Sequence, residues 1–155
     1  MIADTPDALL VCDRSKTQDV KKLVEKLKLL NRKEHLVHLT ERRPWGSFTV
    51  LEKCPGFKIK LIEILPGKRL SLQRHKQRSE HWVVVSGKAK VTVEKRSFVA
   101  DINRSIYVPM GKKHRLENPG DKPVRIVEVQ TGNYLEEDDI ERFEDDFKKE
   151  CRFKA

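Results

Sequence analysis

Short apolar or alternating segments, separated by turn residues, recur about every 8 to 12 residues from Phe57 to Val129, and this rhythm constrains the fold more than any other feature. Phe57, Ile59 and Leu61 alternate with Lys58 and Lys60, the pattern of a half-buried strand that Pro66-Gly67 ends. Ser86-Gly87 divides the Trp82–Val85 run from Ala89, Val91 and Val93. Phe98-Val99 comes next, then Ser105–Val108, and Pro109-Met110-Gly111 leads to His114–Glu117. Asn118-Pro119-Gly120 stops that segment, and Val124–Val129 is the last strand of the series. Many short strands with regular turns predict an all-β sandwich or barrel.

Two of these stretches carry polar groups that can converge. In GKRLSLQRHKQRSEHWVVVSG, Gly67 to Gly87, side chains two apart on a strand share a face. Ser71, Gln73 and His75 therefore face one way and Leu70 and Leu72 the other. Glu80 opens the next apolar strand, and His114 follows a Pro-x-Gly turn in PMGKKHRLEN, Pro109 to Asn118. An amide oxygen, a carboxylate and two imidazoles are thus available to one divalent ion. Oxygen and nitrogen donors in this mixture suit Zn, Mn, Fe, Co or Ni without a thiolate.

At 155 residues the chain is one domain with room for an appendage. No apolar run reaches the roughly 18 residues of a membrane span, so no membrane partner is expected. MIADTPDALLV lacks the basic segment of a secretory signal. Cys12, Cys54 and Cys151 are scattered and odd in number, which favours a reducing cytoplasm over a disulfide framework. The net charge is +9, but residues 136–146 hold eight acids and one arginine, a local −7, so the remainder carries +16. That excess attracts anions. With no basic helix and 6% aromatic residues, a small anionic substrate such as a sugar phosphate fits better than nucleic acid.

The ends of the chain read differently from its middle. ALLVC, residues 8–12, predicts one buried strand, and Ser15-x-x-Gln18 is a capping box for a helix from Thr17 to Leu30 with Val20, Leu23, Val24, Leu27 and Leu30 along one face. Residues 31–43 read as a polar linker, with His35 and His38 as surface histidines. After Gly132 the pattern predicts an acidic helix with Leu135, Ile140, Phe143 and Phe147 on one side. The boundaries expected are a strand-helix appendage over 1–40 and the β domain over 41–155.

The spacing G-x5-Q-x-H-x4-E-x6-G followed by P-x-G-x2-H-x3-N resembles the two cupin motifs, with glutamine where cupins usually place the first histidine. RPWGSFTVLE, LSLQRHKQRSEHWVVVSGKAKVT and KHRLENPGDKPVRIVEVQTGNYLEEDDIERFEDDF are similar to type II mannose-6-phosphate isomerases, over about residues 41–147. That family uses a Q-x-H pair, so the glutamine agrees with it. The resemblance implies a cupin (double-stranded β-helix, jelly-roll) fold with Gln73, His75, Glu80 and His114 as ligands of one divalent metal ion, zinc first. It implies interconversion of mannose 6-phosphate and fructose 6-phosphate through a cis-enediol, supplying mannose for GDP-mannose and polysaccharide synthesis. For the proton-moving group it leaves Glu80, His81 and lysines such as Lys113, with His81 expected to point away from Glu80. For the phosphate it leaves Arg78 and Arg115, with Arg42 or Arg43 behind them. Trp45 and Trp82 are candidates to stack on sugar, Trp82 being better suited to the core. Homodimerisation is expected from pairing between cupins. In most of that family a mannose-1-phosphate guanylyltransferase half precedes the cupin, and residues 2–28 look like its last strand and helix. A separate guanylyltransferase chain is therefore an expected partner. The alternative function is a non-catalytic cupin that binds sugar phosphate or supports such a partner as a scaffold.

Overall fold

A computed structural model describes residues 1–5, 8–30 and 39–147 and converts the alternating segments into two antiparallel sheets. His35, His38 and Cys151 lie outside the described residues. The chain divides into two units, Met1–Glu41 and Arg42–Ala155.

In the first unit, strands β1 (Ile2–Thr5) and β2 (Ala8–Val11) form an antiparallel hairpin. The ALLVC run was expected to be buried, yet Leu9 and Val11 are exposed, and the run pairs with a strand the hydropathy pattern does not mark. A 3-10 turn over Arg14–Asp19 leads into α1 (Val20–Leu29). Asp13, rather than Ser15, caps the entry: its carboxylate accepts from the Ser15 backbone N–H at 2.8 Å and from the Ser15 hydroxyl at 2.7 Å.

Apart from Thr40 and Glu41, which precede the division, the rest of the strands lie in the second unit. They are β3 (Thr40–Arg43), β4 (Gly46–Cys54), β5 (Phe57–Ile64), β6 (Leu72–His75), β7 (Arg78–Ser86), β8 (Ala89–Val93), β9 (Arg96–Ala100), β10 (Ser105–Val108), β11 (His114–Glu117), β12 (Val124–Gly132) and β13 (Ile140–Glu144). One sheet runs β10-β7-β12-β5-β4-β3 and the other β13-β6-β11-β8-β9. Their facing sides share one apolar cluster, with Phe48, Ile62, Trp82, Val84 and Ile126 from the first sheet and Ala89, Val91, Ala100 and Leu116 from the second.

The inward face of the first sheet is divided along its strands. On β12 it reads Val124, Ile126, Glu128, Gln130; on β5, Ile64, Ile62, Lys60, Lys58; on β7, Val84, Trp82, Glu80, Arg78, all of them buried. The registers align these halves, with Ile126 opposite Ile62 and Val84, and with Glu128 opposite Lys60 and Trp82. One half is a dry core, and the other is a polar chamber. The division inverts the reading of β5: Lys58 and Lys60 are its buried residues, while Phe57, Ile59 and Leu61 are only half-buried. Hydropathy follows the core, and the polar end of this strand faces a site instead.

The acidic tail also departs from expectation. A 3-10 turn at Glu137–Asp139 is followed by β13, which pairs with β6 at Ile140↔His75 and Arg142↔Gln73. A helix would scatter the acids around its axis. The strand instead sets Glu141 against Arg74, Glu144 against Arg115 and, just beyond, Asp146 against Arg69, at 2.6 to 2.8 Å.

Because Ile126 is fully enclosed, Ile126→Ala is expected to cost about 2–5 kcal/mol in denaturant unfolding. Ile59→Ala, on the half-buried outer face, is expected to cost clearly less; equal costs would contradict this division of the sheet.

Candidate metal centre

β6 and β7 bring His75 and Glu80 together across a short turn, and the Pro109-Met110-Gly111 turn delivers His114 from the other side. Gly111 has φ 78°, which favours glycine, and its N–H donates to the His75 carbonyl at 2.8 Å, so this turn is tied to the end of β6. His114 pairs with Gln73 in the β11–β6 register. Gly132 lies opposite Arg78, where a Cβ would run into the Gln77 carbonyl and the Arg78 backbone.

His75, Glu80 and His114 are at most 2% exposed, and they present ligand atoms that all lie within 4.8 Å of one another. Glu80 Oε1 is 3.0 Å from His75 Nε2, and Oε2 is 3.6 Å from His114 Nε2. The His114 Nδ1–H donates to the Lys112 carbonyl at 2.9 Å, which fixes the tautomer and leaves Nε2 as a lone-pair donor. That Nε2, and both ring nitrogens of His75, are buried without an aligned hydrogen-bond partner. Buried polar atoms are rarely left so. Two imidazoles with free lone pairs beside a carboxylate fit a divalent cation, and Gln73 faces the same cavity with its amide oxygen accepting from the Ser71 hydroxyl at 3.2 Å.

The charges follow from the surroundings. Burial alone would raise the Glu80 carboxyl, but His75, His114 and Arg78 outweigh it and hold Glu80 far below the usual carboxylate range. Arg78 Nε lies 3.4 Å from Oε1, Gln130 Nε2 donates to Oε1 at 3.1 Å, and Trp82 Nε1 donates to Oε2 at 3.1 Å. Glu128 shares these donors, at 3.2 Å from Trp82 and 2.9 Å from Gln130. Burial, and then the Glu80 charge beside it, push Glu128 up to about 8, so it keeps its proton at neutral pH. Burial lowers the pKa of His114, with Glu80 opposing, which favours the neutral ring that a cation needs.

Gln73, Glu80 and Glu128 line a cavity of about 860 Å³, the size of a small-molecule site. Trp45, Phe48, Ile62 and Leu70 form its apolar wall, and Lys60, Arg78, Glu128, Gln130 and Arg142 add polar groups.

Of the residues singled out in the sequence, Gln73, His75, Glu80, His114 and Arg78 meet here. Others do not. His81 follows Glu80 and so faces outward, exposed, against the Tyr107 ring at 4.7 Å. Lys113 precedes His114 and points outward over the Phe143 ring at 3.8 Å. Arg115, for the same reason, is on the outer face between Glu117 and Glu144. Arg42 is exposed on β3, and its neighbour Arg43 lines the cavity instead. Trp82 is core, edge-on to His114. Lys60, Glu128, Gln130, Glu137 and Arg142 went unread in the sequence. The period-2 register of Ile126, Glu128 and Gln130 was the available signal for two of them.

Comparison with known proteins bears on this geometry. Residues 30–145 match the family described as "Mannose-6-phosphate isomerase C-terminal" and residues 1–27 match the "MannoseP isomerase/GMP-like beta-helix domain". A putative mannose-1-phosphate guanylyltransferase of Vibrio cholerae is 48% identical over 94% of this chain and 31% of its own length. The alginate biosynthesis protein AlgA of Pseudomonas aeruginosa is 46% identical over 94% of this chain and 30% of its own length. The chain thus spans about 30% of the length of these curated relatives. Among solved structures, a cupin domain from Schizosaccharomyces pombe aligns at TM-score 0.54 and 24% identity over 56% of this chain and 64% of its own. A sugar phosphate isomerase of the cupin superfamily from Silicibacter pomeroyi aligns at 0.51 and 22% over 55% and 58%. The fold is that of a cupin, and the chain belongs to the mannose-6-phosphate isomerase C-terminal family.

Proposed function

We propose that this chain is a metal-dependent aldose–ketose isomerase domain that interconverts mannose 6-phosphate and fructose 6-phosphate through a cis-enediol, feeding GDP-mannose synthesis. The observation that carries the reading is the desolvated His75–Glu80–His114 cluster, whose Glu80 lines a cavity sized for a sugar phosphate. Gln73, His75, Glu80 and His114 would hold the ion. When bound, a divalent cation supplies Lewis-acid stabilisation of negative charge that develops on the sugar oxygens.

The protein's own groups supply the rest. Trp45 and Phe48 offer an apolar wall for the sugar ring. Arg78 is held between Glu80 and the Glu136 carbonyl, which accepts from its Nη1 at 3.0 Å, so its charge is fixed in place. Of the two carboxyls at the cavity, Glu128 is free of the ion-holding role given to Glu80 and is the candidate to carry a proton between C1 and C2. His81 and Lys113 face away from it, which weighs against both. Relatives named as guanylyltransferases, of which this chain covers about 30%, favour a second reading in which the cupin binds sugar phosphate without turning it over.

A coupled assay for fructose 6-phosphate separates the two. The isomerase reading expects turnover that a chelator abolishes and added divalent metal restores. Losing an outer partner of a metal ligand costs about 10–100-fold, so His75→Ala and His114→Ala are expected to cost more than about 100-fold. Absence of turnover in every metal, with sugar phosphate still bound, would favour the second reading.

Glu128 gives a pH test. Its pKa is about 8 in the fold and 4.5 in the unfolded chain, so the fold binds the extra proton between those values and the metal-free protein loses stability as pH rises through that window. Glu128→Gln is expected to remove that slope in denaturant unfolding; an unchanged slope would mean that Glu128 is ionised in the fold.

A further inference from the structure

The acidic tail is a strap. Glu136 pairs with Lys53, Glu137 with Lys60, Glu141 with Arg74, Glu144 with Arg115 and Asp146 with Arg69. Asp138 accepts from the Tyr134 hydroxyl, Asp139 from the backbone N–H groups of Lys76 and Gln77, and Asp145 from the Phe147 N–H. All eight acids of residues 136–146 therefore have a partner. The one arginine among them, Arg142, has none among the described residues.

Its placement is specific. Arg142 pairs in register with Gln73 on β6, so it shares the inward face with Gln73 and His75, while Glu141 and Phe143 face outward. It is exposed and lines the same cavity, as does Arg43 from β3. Of the other cations there, Lys60 is bound to Glu137 and Arg78 to Glu80. A guanidinium without a carboxylate, reaching a polar cavity from a segment whose every acid is engaged, is a site for an incoming anion. Its planar fork matches the oxygens of a phosphate monoester, which a point charge does not.

We propose that Arg142, delivered by the strap, is the anchor for the phosphate group of the substrate. This rests on the sugar-phosphate reading above and adds the residue that would distinguish a phosphorylated sugar from a free one. It also gives the acidic tail a purpose, because the ion pairs that zip β13 against the sheet set the register that turns Arg142 inward.

The test is calorimetric binding of mannose 6-phosphate and of mannose to the metal-loaded full chain, as wild type, Arg142→Ala, Arg142→Lys and, as a surface-charge control, Arg125→Ala on the outer face. Arg142→Ala is expected to weaken mannose 6-phosphate by roughly 10- to 100-fold, the range for a hydrogen-bonded charge, and to leave mannose and metal affinity unchanged. Arg142→Lys is expected to recover part of the loss, and Arg125→Ala to stay near wild type. Three results would overturn the proposal: Arg142→Ala within about twofold of wild type, a loss shared equally by mannose or by Arg125→Ala, or a wild type that binds mannose 6-phosphate no better than mannose. Arg142-dependent binding without turnover would leave this assignment standing and remove the isomerase reading. Turnover indifferent to Arg142 would do the reverse.

Discussion

The buried charge of Glu80 sets the demands on the groups around it at the polar end of this fold. Glu80 is a carboxylate at 1% exposure, and removing such a group from water costs several kcal/mol unless partners replace the solvent. Arg78, Gln130 and Trp82 supply donors, and two imidazoles stand beside it. Those donors saturate only part of the demand, because the imidazole nitrogens turned toward Glu80 have no aligned partner of their own. A divalent cation would satisfy the carboxylate and both rings together. The same charge dictates the state of its neighbour: two carboxyls sharing Trp82 and Gln130 cannot both ionise cheaply, so Glu128 keeps a proton.

The sheet pays for this chamber with the other half of each strand. Ile126, Ile62, Val84 and Val124 pack a dry core immediately beside Glu128, Lys60 and Glu80 on the same three strands. A rigid packed half holds the polar half in place, and that is what a preorganised site requires. Asn118, the last residue of the second motif, ties down the packed half: its side-chain amide donates to the carbonyls of Ile64 and Lys122, both at 2.8 Å.

How much of this was legible in the sequence depended on which physical signal carried it. Turn glycines, prolines and strand alternation are enough to read a two-sheet β domain, and the spacing of Gln73, His75, Glu80 and His114 is enough to single out four residues that meet in the fold. Side-chain chemistry alone does not place neighbours on a strand: Arg115 and Lys113 flank His114, and flanking residues point to the opposite face. Hydropathy does not report burial on β5, because it cannot tell a core-facing lysine end from a solvent-facing one; the partners Leu135, whose carbonyl accepts from Lys58, and Glu137 decide it. In the tail, Leu135, Ile140, Phe143 and Phe147 have helical spacing, while the pairing that makes β13 a strand lies about 65 residues earlier, in Arg74 and His75. Long-range charge matching leaves no local periodicity to read.

Whether His75, Glu80 and His114 form a cation site can be read directly from X-ray absorption at the edge of a metal loaded into the purified chain. One ion per chain is expected, in a shell of nitrogen and oxygen donors that includes two imidazoles and no sulfur. A shell containing sulfur, a single imidazole, or no ion above background would contradict the assignment.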